Sequence, residues 1–589
     1  MERATHDYYN WRDLCNKYRD HHSYNYIICS VRNKYFDTSP SLLITMICSK
    51  IFTGDLPELT YNILKYLQDD FSTLYSCVLV NRLWCRLAIP LLWENPFSIS
   101  TGNRNFIEIY LDNLDGDLKT RLDNYKVNDN SLSSHTLFNY PEFLKYLNIF
   151  NIIDTVKKWF YDTVNKSKCR NRYDIIRDNY SVINFIRLIH TSLFKIFNEN
   201  EVNLHTLEIE ISCTDFDRYD TYYDNIFESI IQNTNFIHNI RYLNLYTDDT
   251  SEKLLYDDAS KALFKNRMLQ LINLHQNLKE ILLDHNNLPL YQSLLLSKDS
   301  NCSNTLNTII FYGVNFKGMV NLTKTFEQLN VLESVHIFFC TLNDDFIQQI
   351  INLTKPFKLK SLYISEIPRI ESLQLLLQNS GDYIENFKID FEDYSHPSLL
   401  LKQQFVELII KYCKNIKLLE LSIFENQIIY PIFKLIENIK QSLKYLTIYL
   451  QNRNVEMESS SIVLQNLGQI LPPKLEYLNL NLYIIKANDF EIFLKNSQDI
   501  FIKKLLIKNI NGQNILPFIK EYSMKKKMIK YLALSNIIYE RFSGGSSYGQ
   551  SEQLSSLNDE VNEFTLYNIK VQSYSSLMIL MYDLIRGVK

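Results

Sequence analysis

From about residue 200 onward one spacing recurs: an apolar residue, two variable residues, an apolar residue, one variable residue, an apolar residue. Its fullest copy is LKEILLDHNNL, where Leu278, Ile281, Leu283, Asn286 and Leu288 fill every position of LxxLxLxxNxL. LESVHIFFCTL repeats it at Leu332, Val335, Ile337, Cys340 and Leu342, with cysteine in the asparagine slot. Weaker copies start at Leu204, Ile240, Leu306, Leu359, Ile384, Ile416, Leu443, Leu475, Ile502, Ile529 and Val561. One LxxLxL occurs in many helices, but thirteen copies at a near-constant spacing predict a repeat array, and that spacing suits a short strand followed by a helix. Period-two alternation within each copy predicts the strand. Segments such as ESLQLLLQN (371–379) and FVELIIKYC (405–413) carry helical spacing between the strands. The three apolar side chains of each copy should point into the stack and the residues between them should face outward from the sheet. Asn or Cys in the later slot is suited to hydrogen-bond backbone groups where the strand turns away. Ile367, Phe424, Ile510 and Ile569 occupy that slot in other copies, so an irregular array is expected.

Upstream, residues 98–200 read as mostly helical, through NFIEIYLDNL, PEFLKYLNIFNIIDTVKKWFYDTV and SVINFIRLIHTSLFKIF, a connector expected to cap the first repeat. SGGSSYGQSEQLSS (543–556) is low in complexity and predicts a flexible loop before the last strand. Residues 55–97 pack much apolar surface into little chain. Pro57 sits where a first helical turn tolerates proline, with Leu59, Ile63, Leu64 and Leu67 along one face. Asp69, Asp70 and Ser72 supply a turn and a helix start, and a second helix should carry Leu74, Cys77, Val78, Leu83, Trp84 and Leu87. Pro90 is expected to interrupt it, leaving Leu91, Leu92 and Trp93 as a short third element. Three such helices cannot hide this surface alone, so the rest of the chain or a partner must cover the remainder.

This stretch resembles the F-box, whose pattern runs LP, an Ile and Leu pair, a polar turn, L-V-x-x-x-W and a late L-W. Leu56-Pro57, Ile63-Leu64, Leu79-Val80, Trp84 and Leu92-Trp93 stand in those places and in that order. Together with the repeats, the chain resembles the F-box and leucine-rich-repeat class, particularly its large divergent fungal families. The resemblance implies an α/β chain. A three-helix F-box (46–97) would be followed by a helical connector (98–200) and a leucine-rich-repeat solenoid (201–589), a horseshoe of about 13 repeats. Residues 1–45 are expected to be a weakly packed extension, with Met46 a natural start for a family of this kind. The resemblance further implies a non-enzymatic substrate receptor of a Skp–cullin–F-box ubiquitin ligase. The F-box would dock a Skp-type adaptor, held by a cullin with its RING subunit, while the repeats bind a protein target. Carried over as adaptor contacts are Leu56, Pro57, Ile63, Leu64, Leu67, Leu79 and Val80, with Trp84 bracing the helices from inside. The alternative is a repeat scaffold that uses its F-box outside any ligase or keeps it as a vestige.

Composition excludes little and redirects less. Of all residues 46% are hydrophobic and 22% charged, ordinary for a folded chain, and 62 basic against 66 acidic residues give no bias toward nucleic acid or an anionic membrane. Leu42–Cys48, the longest apolar run near the start, is too short to span a bilayer, and the segment Met1–Asp20 is charged and polar, unlike a secretory signal. The ten cysteines form no CxxC, and reduced thiols in a cytosolic or nuclear protein are expected. P-loop, GxGxxG, HExxH and GxSxG motifs are absent, and Cys15, His21, His22 and Cys29 fit no zinc spacing. Lys525 to Lys527 reads as a solvated face. Neither cofactor, metal nor catalytic residue is expected.

The outward strand positions carry more. Nine of these 39 positions are tyrosine (Tyr242, Tyr246, Tyr312, Tyr363, Tyr445, Tyr449, Tyr477, Tyr531 and Tyr567), against 40 tyrosines among all 589 residues. Tyrosine favours strands in any protein, yet rigid amphipathic aromatics also dominate recognition hot spots, and both readings stand. The second makes Tyr363, Tyr445, Tyr449, Tyr477 and Tyr531 target contacts, adding nothing to the stacked core. Glu208, Glu210, Glu280 and Asp284 on early strands, against Lys504 and Lys508 on a late one, give the face a polarity.

Overall fold

The structure is a computed structural model. It describes residues 56–68, 70–98, 105–111, 120, 137–166, 179–212, 224–232, 236, 238–248, 266–267, 269–272, 274, 277–284, 301–364, 367–390, 398–423, 425–450, 458–526, 529–541 and 547–579. The proposed N-terminal extension therefore lies outside the described residues. Backbone contacts group the chain into two compact units, residues 1–204 with 587–589, and residues 205–586.

The first unit is mainly helical. Helix α1 (Pro57–Lys65) has its proline at the first turn, where the missing N–H costs nothing. Asp70 then caps α2 (Phe71–Val78), its Oδ1 accepting from the Thr73 N–H at 3.0 Å. Helix α2 stops at Val78, because Asn81 caps a new helix, α3 (Arg82–Trp93), by accepting from the Trp84 N–H at 2.9 Å. The expected single helix from Leu74 to Leu87 is thus two helices, and α3 runs on through Pro90 to Trp93 instead of ending there. Both α1 and α2 pack on α3, with Leu64, Leu74, Cys77 and Trp84 almost wholly buried. Trp93 continues into an aromatic cluster with Tyr110 of α4 (Asn105–Leu111) and Tyr140. Tyr110 in turn meets Phe197 edge-on from α6 (Asn179–Glu199), which also packs on α5 (Ile149–Lys166) through Phe185 and Phe160. A three-residue strand, β1 (Tyr146–Asn148), precedes α5.

In the second unit a long sheet follows chain order. Its parallel strands are β2 (Thr206–Ser212), β3 (Tyr242–Asp248), β4 (Glu280–Asp284), β5 (Thr308–Tyr312), β6 (Ser334–Phe338), β7 (Leu359–Ile364), β8 (Asn386–Asp390), β9 (Leu418–Ile423), β10 (Tyr445–Leu450), β11 (Lys474–Tyr483), β12 (Phe501–Ile510) and β13 (Ile529–Arg541). Parallel neighbours need a crossover. From β5 on it contains α7 (Leu322–Gln328), α8 (Asp344–Ile351), α9 (Ile370–Ser380), α10 (Leu399–Tyr412), α11 (Ile429–Asn438), α12 (Ser459–Ile470), α13 (Ala487–Asn496) and α14 (Leu516–Lys526) in turn. Twelve copies of the sequence pattern fall on β2 to β13. Their inward residues, such as Leu207, Ile281, Phe311, Leu362, Phe387, Leu446, Leu478 and Leu532, have no exposed surface. Each such side chain contributes about 1.5–3 kcal/mol by leaving water. In the later slot Cys340 does what was expected of it, its Sγ accepting from the Val314 N–H and donating to the Phe338 carbonyl, both at 3.3 Å.

Two expectations fail at the C-terminal end. The copy starting at Val561 lies in helix α15 (Asn558–Leu566), which begins on Asp559 and Glu560 as a helix dipole favours, and Leu566 is left 81% exposed. The segment read as a flexible loop contains β14 (Ser547–Gln553), antiparallel to the C-terminal half of β13; residues 542–546 lie outside the described set. The N-terminal half of β13 pairs instead with β15 (Lys570–Val571), in parallel. A lone β13 edge would have left a row of unpaired backbone groups, and two partners divide it between them.

Candidate interaction surfaces

Helices α1 and α2 expose more apolar surface than their size explains. Leu56, Leu59, Tyr66, Phe71 and Leu79 are 36%, 41%, 64%, 38% and 55% exposed. Leu79 owes its exposure to the corner that Asn81 creates. Among the seven residues expected to touch an adaptor, Leu56, Pro57 and Leu79 lie on the surface, and Leu67 and Val80 are half-buried. Ile63 and Leu64 are 8% and 0% exposed, on the side of α1 that packs on α3. Trp84 is likewise internal. Sequence reading missed Leu59, Tyr66 and Phe71 as surface residues; an amphipathic pattern tells the two faces apart but not which face a partner finds.

The second surface is the outward face of the sheet. Strand register sets Leu418, Tyr445, Tyr477, Lys504 and Tyr531 side by side across β9 to β13. The next row runs Phe338, Tyr363, Lys388, Glu420, Thr447, Asn479, Leu506 and Ala533. A third holds Tyr449, Asn481, Lys508 and Ser535. Tyr445 and Tyr477 stand next to each other, their ring centroids 6.3 Å apart, and Tyr449 lies further along the same face of β10.

This face is not, however, outside the core. Leu282, Ile310, Phe338, Tyr363 and Leu418 form one buried apolar cluster on it, with Tyr445 packed alongside. Tyr477, Leu506, Ala533 and Leu577 form another. Tyr363 and Tyr477, expected as exposed target contacts, are 5% and 2% exposed, and so belong to packing. Tyr445, Tyr449 and Tyr531 remain half-exposed, whereas Tyr567 lies at the end of α15 and not on a strand.

Between the clusters the face is polar. Lys388 and Glu420 pair at 2.7 Å with both side chains mostly covered, and the Lys388 ammonium stands 5.4 Å from the Phe339 ring centroid and 5.9 Å from that of Tyr363. Burial, and then the Glu420 carboxylate, holds the Tyr363 and Tyr449 phenols well above the usual range. Tyr445 is pushed up to about 12 by burial and by Glu476, whose Oε2 accepts its hydroxyl at 3.2 Å. These phenols therefore stay protonated, and Tyr445 uses its proton to bond Glu476. Around Tyr531 the ammonium groups of Lys504, Lys530 and Lys570 stand 6.0, 5.6 and 5.9 Å from the ring centroid.

The C-terminal segment lies on this same face. Gln572 donates its N–H to the Leu532 carbonyl at 3.0 Å, and Ser573 caps a single turn, α16 (Tyr574–Leu577). The Tyr574 hydroxyl donates to Asn479 Oδ1 at 2.6 Å, the Ile579 N–H donates to the Tyr477 hydroxyl at 3.3 Å, and Leu577 is buried against Leu506 and Ala533. Nothing in the spacing of YSSLMI announces this return, since its partners belong to strands formed much earlier in the chain.

Among the described residues, no group of three or more His, Cys, Asp and Glu side chains converges on a metal-sized site. The Cys77, Cys340 and Cys413 thiols are raised to about 12, chiefly by burial, which leaves them protonated and unreactive. No helix among the described residues is long and apolar enough to cross a membrane. Comparison with models of known protein families and with curated proteins finds no match.

Proposed function

We propose that this chain is the non-enzymatic substrate receptor of a Skp–cullin–F-box ubiquitin ligase. Helices α1–α3 are its F-box and the sheet with its flanking helices its leucine-rich-repeat target-binding array. The observation that carries the reading is the exposed apolar set Leu56, Leu59, Phe71 and Leu79 on a small helical bundle whose sequence resembles the F-box. Exposed apolar side chains gathered on so small a bundle suit a protein contact, and a Skp-type adaptor is the partner the resemblance supplies. Target recognition falls to the outward sheet face, where half-exposed tyrosines can anchor a segment. The acidic Glu208 and the basic Lys504 and Lys508, at opposite ends of the strand order, would set its direction.

Leu79→Asp tests the docking arm at little cost to folding, because the side chain is already 55% exposed. Adaptor and cullin should copurify with the wild-type chain, and the variant should lose adaptor affinity by 100-fold or more, about 3 kcal/mol, as a charge placed in a desolvated contact requires. Unchanged capture by a folded variant would end the receptor reading. Capture of adaptor without cullin would favour a role outside the ligase.

A further inference from the structure

We propose that β11–β13 form a peptide-binding face whose resting occupant is the chain's own Ser573–Ile579. A target would engage it by presenting the same chemistry, a tyrosine hydroxyl with a branched apolar side chain three positions later, and would displace that segment. The proposal deepens the reading of the sheet as a recognition surface and does not depend on adaptor docking.

The segment has the marks of a docked ligand. A single helical turn is not stable in isolation, so α16 holds its conformation through what it touches. Those contacts centre on one buried side chain, with Tyr574, Met578 and Ile579 packed partly buried against the same cluster and the Tyr574 N–H donating to Gln553 Oε1 at 3.2 Å. Leu577 fills an apolar site on Leu506, Ala533 and Tyr477; the Tyr574 hydroxyl reaches Asn479, which is wholly buried; and the Ile579 N–H reaches the Tyr477 hydroxyl. Between the two anchors Ser575 and Ser576 face solvent, while Tyr574, Met578 and Ile579 stay half-exposed. One buried side chain flanked by hydrogen bonds to side chains of the sheet is the arrangement of a peptide in a groove, and differs from the repeats, whose strands bury three apolar residues each. The same site lies beside Tyr531 and the ammonium groups of Lys504, Lys530 and Lys570. Residues 573–579 contain no acidic side chain. A target that adds a carboxylate or phosphate next to the shared anchors gains an attraction that this segment does not make.

The probe is a labelled synthetic peptide of residues 572–582, added to the full-length chain and to its Tyr574→Ala/Leu577→Asp double variant. Opening the resting contact should let the double variant bind the peptide at least tenfold more tightly than wild type does, and Leu577→Asp in the peptide should abolish binding. An acidic residue appended to the peptide should tighten binding further, and added salt should reverse that gain. A folded double variant that ignores the peptide overturns the proposal. If the double variant unfolds, hydrogen exchange on the wild-type chain decides. Tail amides at 577–579 exchanging at least tenfold faster than those of β11 and β12 support a displaceable occupant; equal protection makes the segment part of the core and overturns it. Adaptor copurification, read in parallel on the double variant, should be unchanged, so the receptor reading and the peptide face can fail separately.

Discussion

Among single residues, His336 shows how the outward face behaves as an interior. Its Nδ1 lies 2.7 Å from Ser361 Oγ, and burial, then Lys360, lowers its pKa to about 3. In the folded chain it is neutral, whereas in the unfolded chain it gains a proton near pH 6.5. Its contribution to stability is therefore complete above pH 6.5 and is lost as pH falls from there toward 3, at up to about 1.4 kcal/mol per pH unit. Urea unfolding at pH 6.5, 5.5 and 4.5 should reveal this slope, and His336→Gln, which keeps a polar partner for Ser361 without the titration, should make it shallower, leaving the share of the buried His190, whose pKa is likewise lowered to about 3. An identical slope in both chains would mean that His336 is solvated. Position in the repeat pattern marks residue 336 as outward; burial, not the pattern, makes it neutral.

Between neighbouring helices, stacking depends on a few close approaches. Glycine is scarce, with 12 in the chain, yet Gly468 stands inside α12. A Cβ there would lie 2.8 Å from the Phe493 carbonyl oxygen and 2.8 Å from the Asn496 Cβ of α13. Alanine is the better helix former by about 1 kcal/mol, but the clash with backbone should outweigh it, and Gly468→Ala should destabilise the array by about 1–3 kcal/mol. A thermal melt showing gain instead of loss would mean that α13 moves aside freely. Helices α2 and α3 depend on a single side chain in the same way. The apolar positions of α2 and α3 form one helical series in the sequence, and only the Asn81 cap breaks it into two helices and turns Leu79 outward.

Taken whole, a repeat array needs its last unit closed, because each unit buries its apolar face only against a neighbour. Here β14 and β15 share the β13 edge, and Lys520 of α14 pairs with both Glu560 and Glu563 of α15, the latter at 2.6 Å. These groups are partly exposed, so Lys520→Met should cost less than about 1 kcal/mol and its effect should fade with salt. Exchange protection in α15 should nonetheless fall while β10 and β11 keep theirs, a difference that would be missing if the helix were held by Phe564 alone.

Strands β2 to β13, their inward residues and the helical nature of the first unit were legible along the chain, because period-two and period-3.6 burial is written in neighbouring positions. The role of Cys340 was legible for the same reason. Other features depend on groups far apart in the chain and emerged only once it was folded. Val561–Leu566 satisfies LxxLxL yet is a helix, since the strand position beside β13 is taken by β14 and β15. Tyr363 and Tyr477 occupy outward positions but are buried. The first sits in a cluster that draws Leu282 from β4 and Leu418 from β9, the second lies under Leu577 of the C-terminal turn. Local alternation sets which face a side chain takes; what covers that face is settled by contacts that no local pattern encodes.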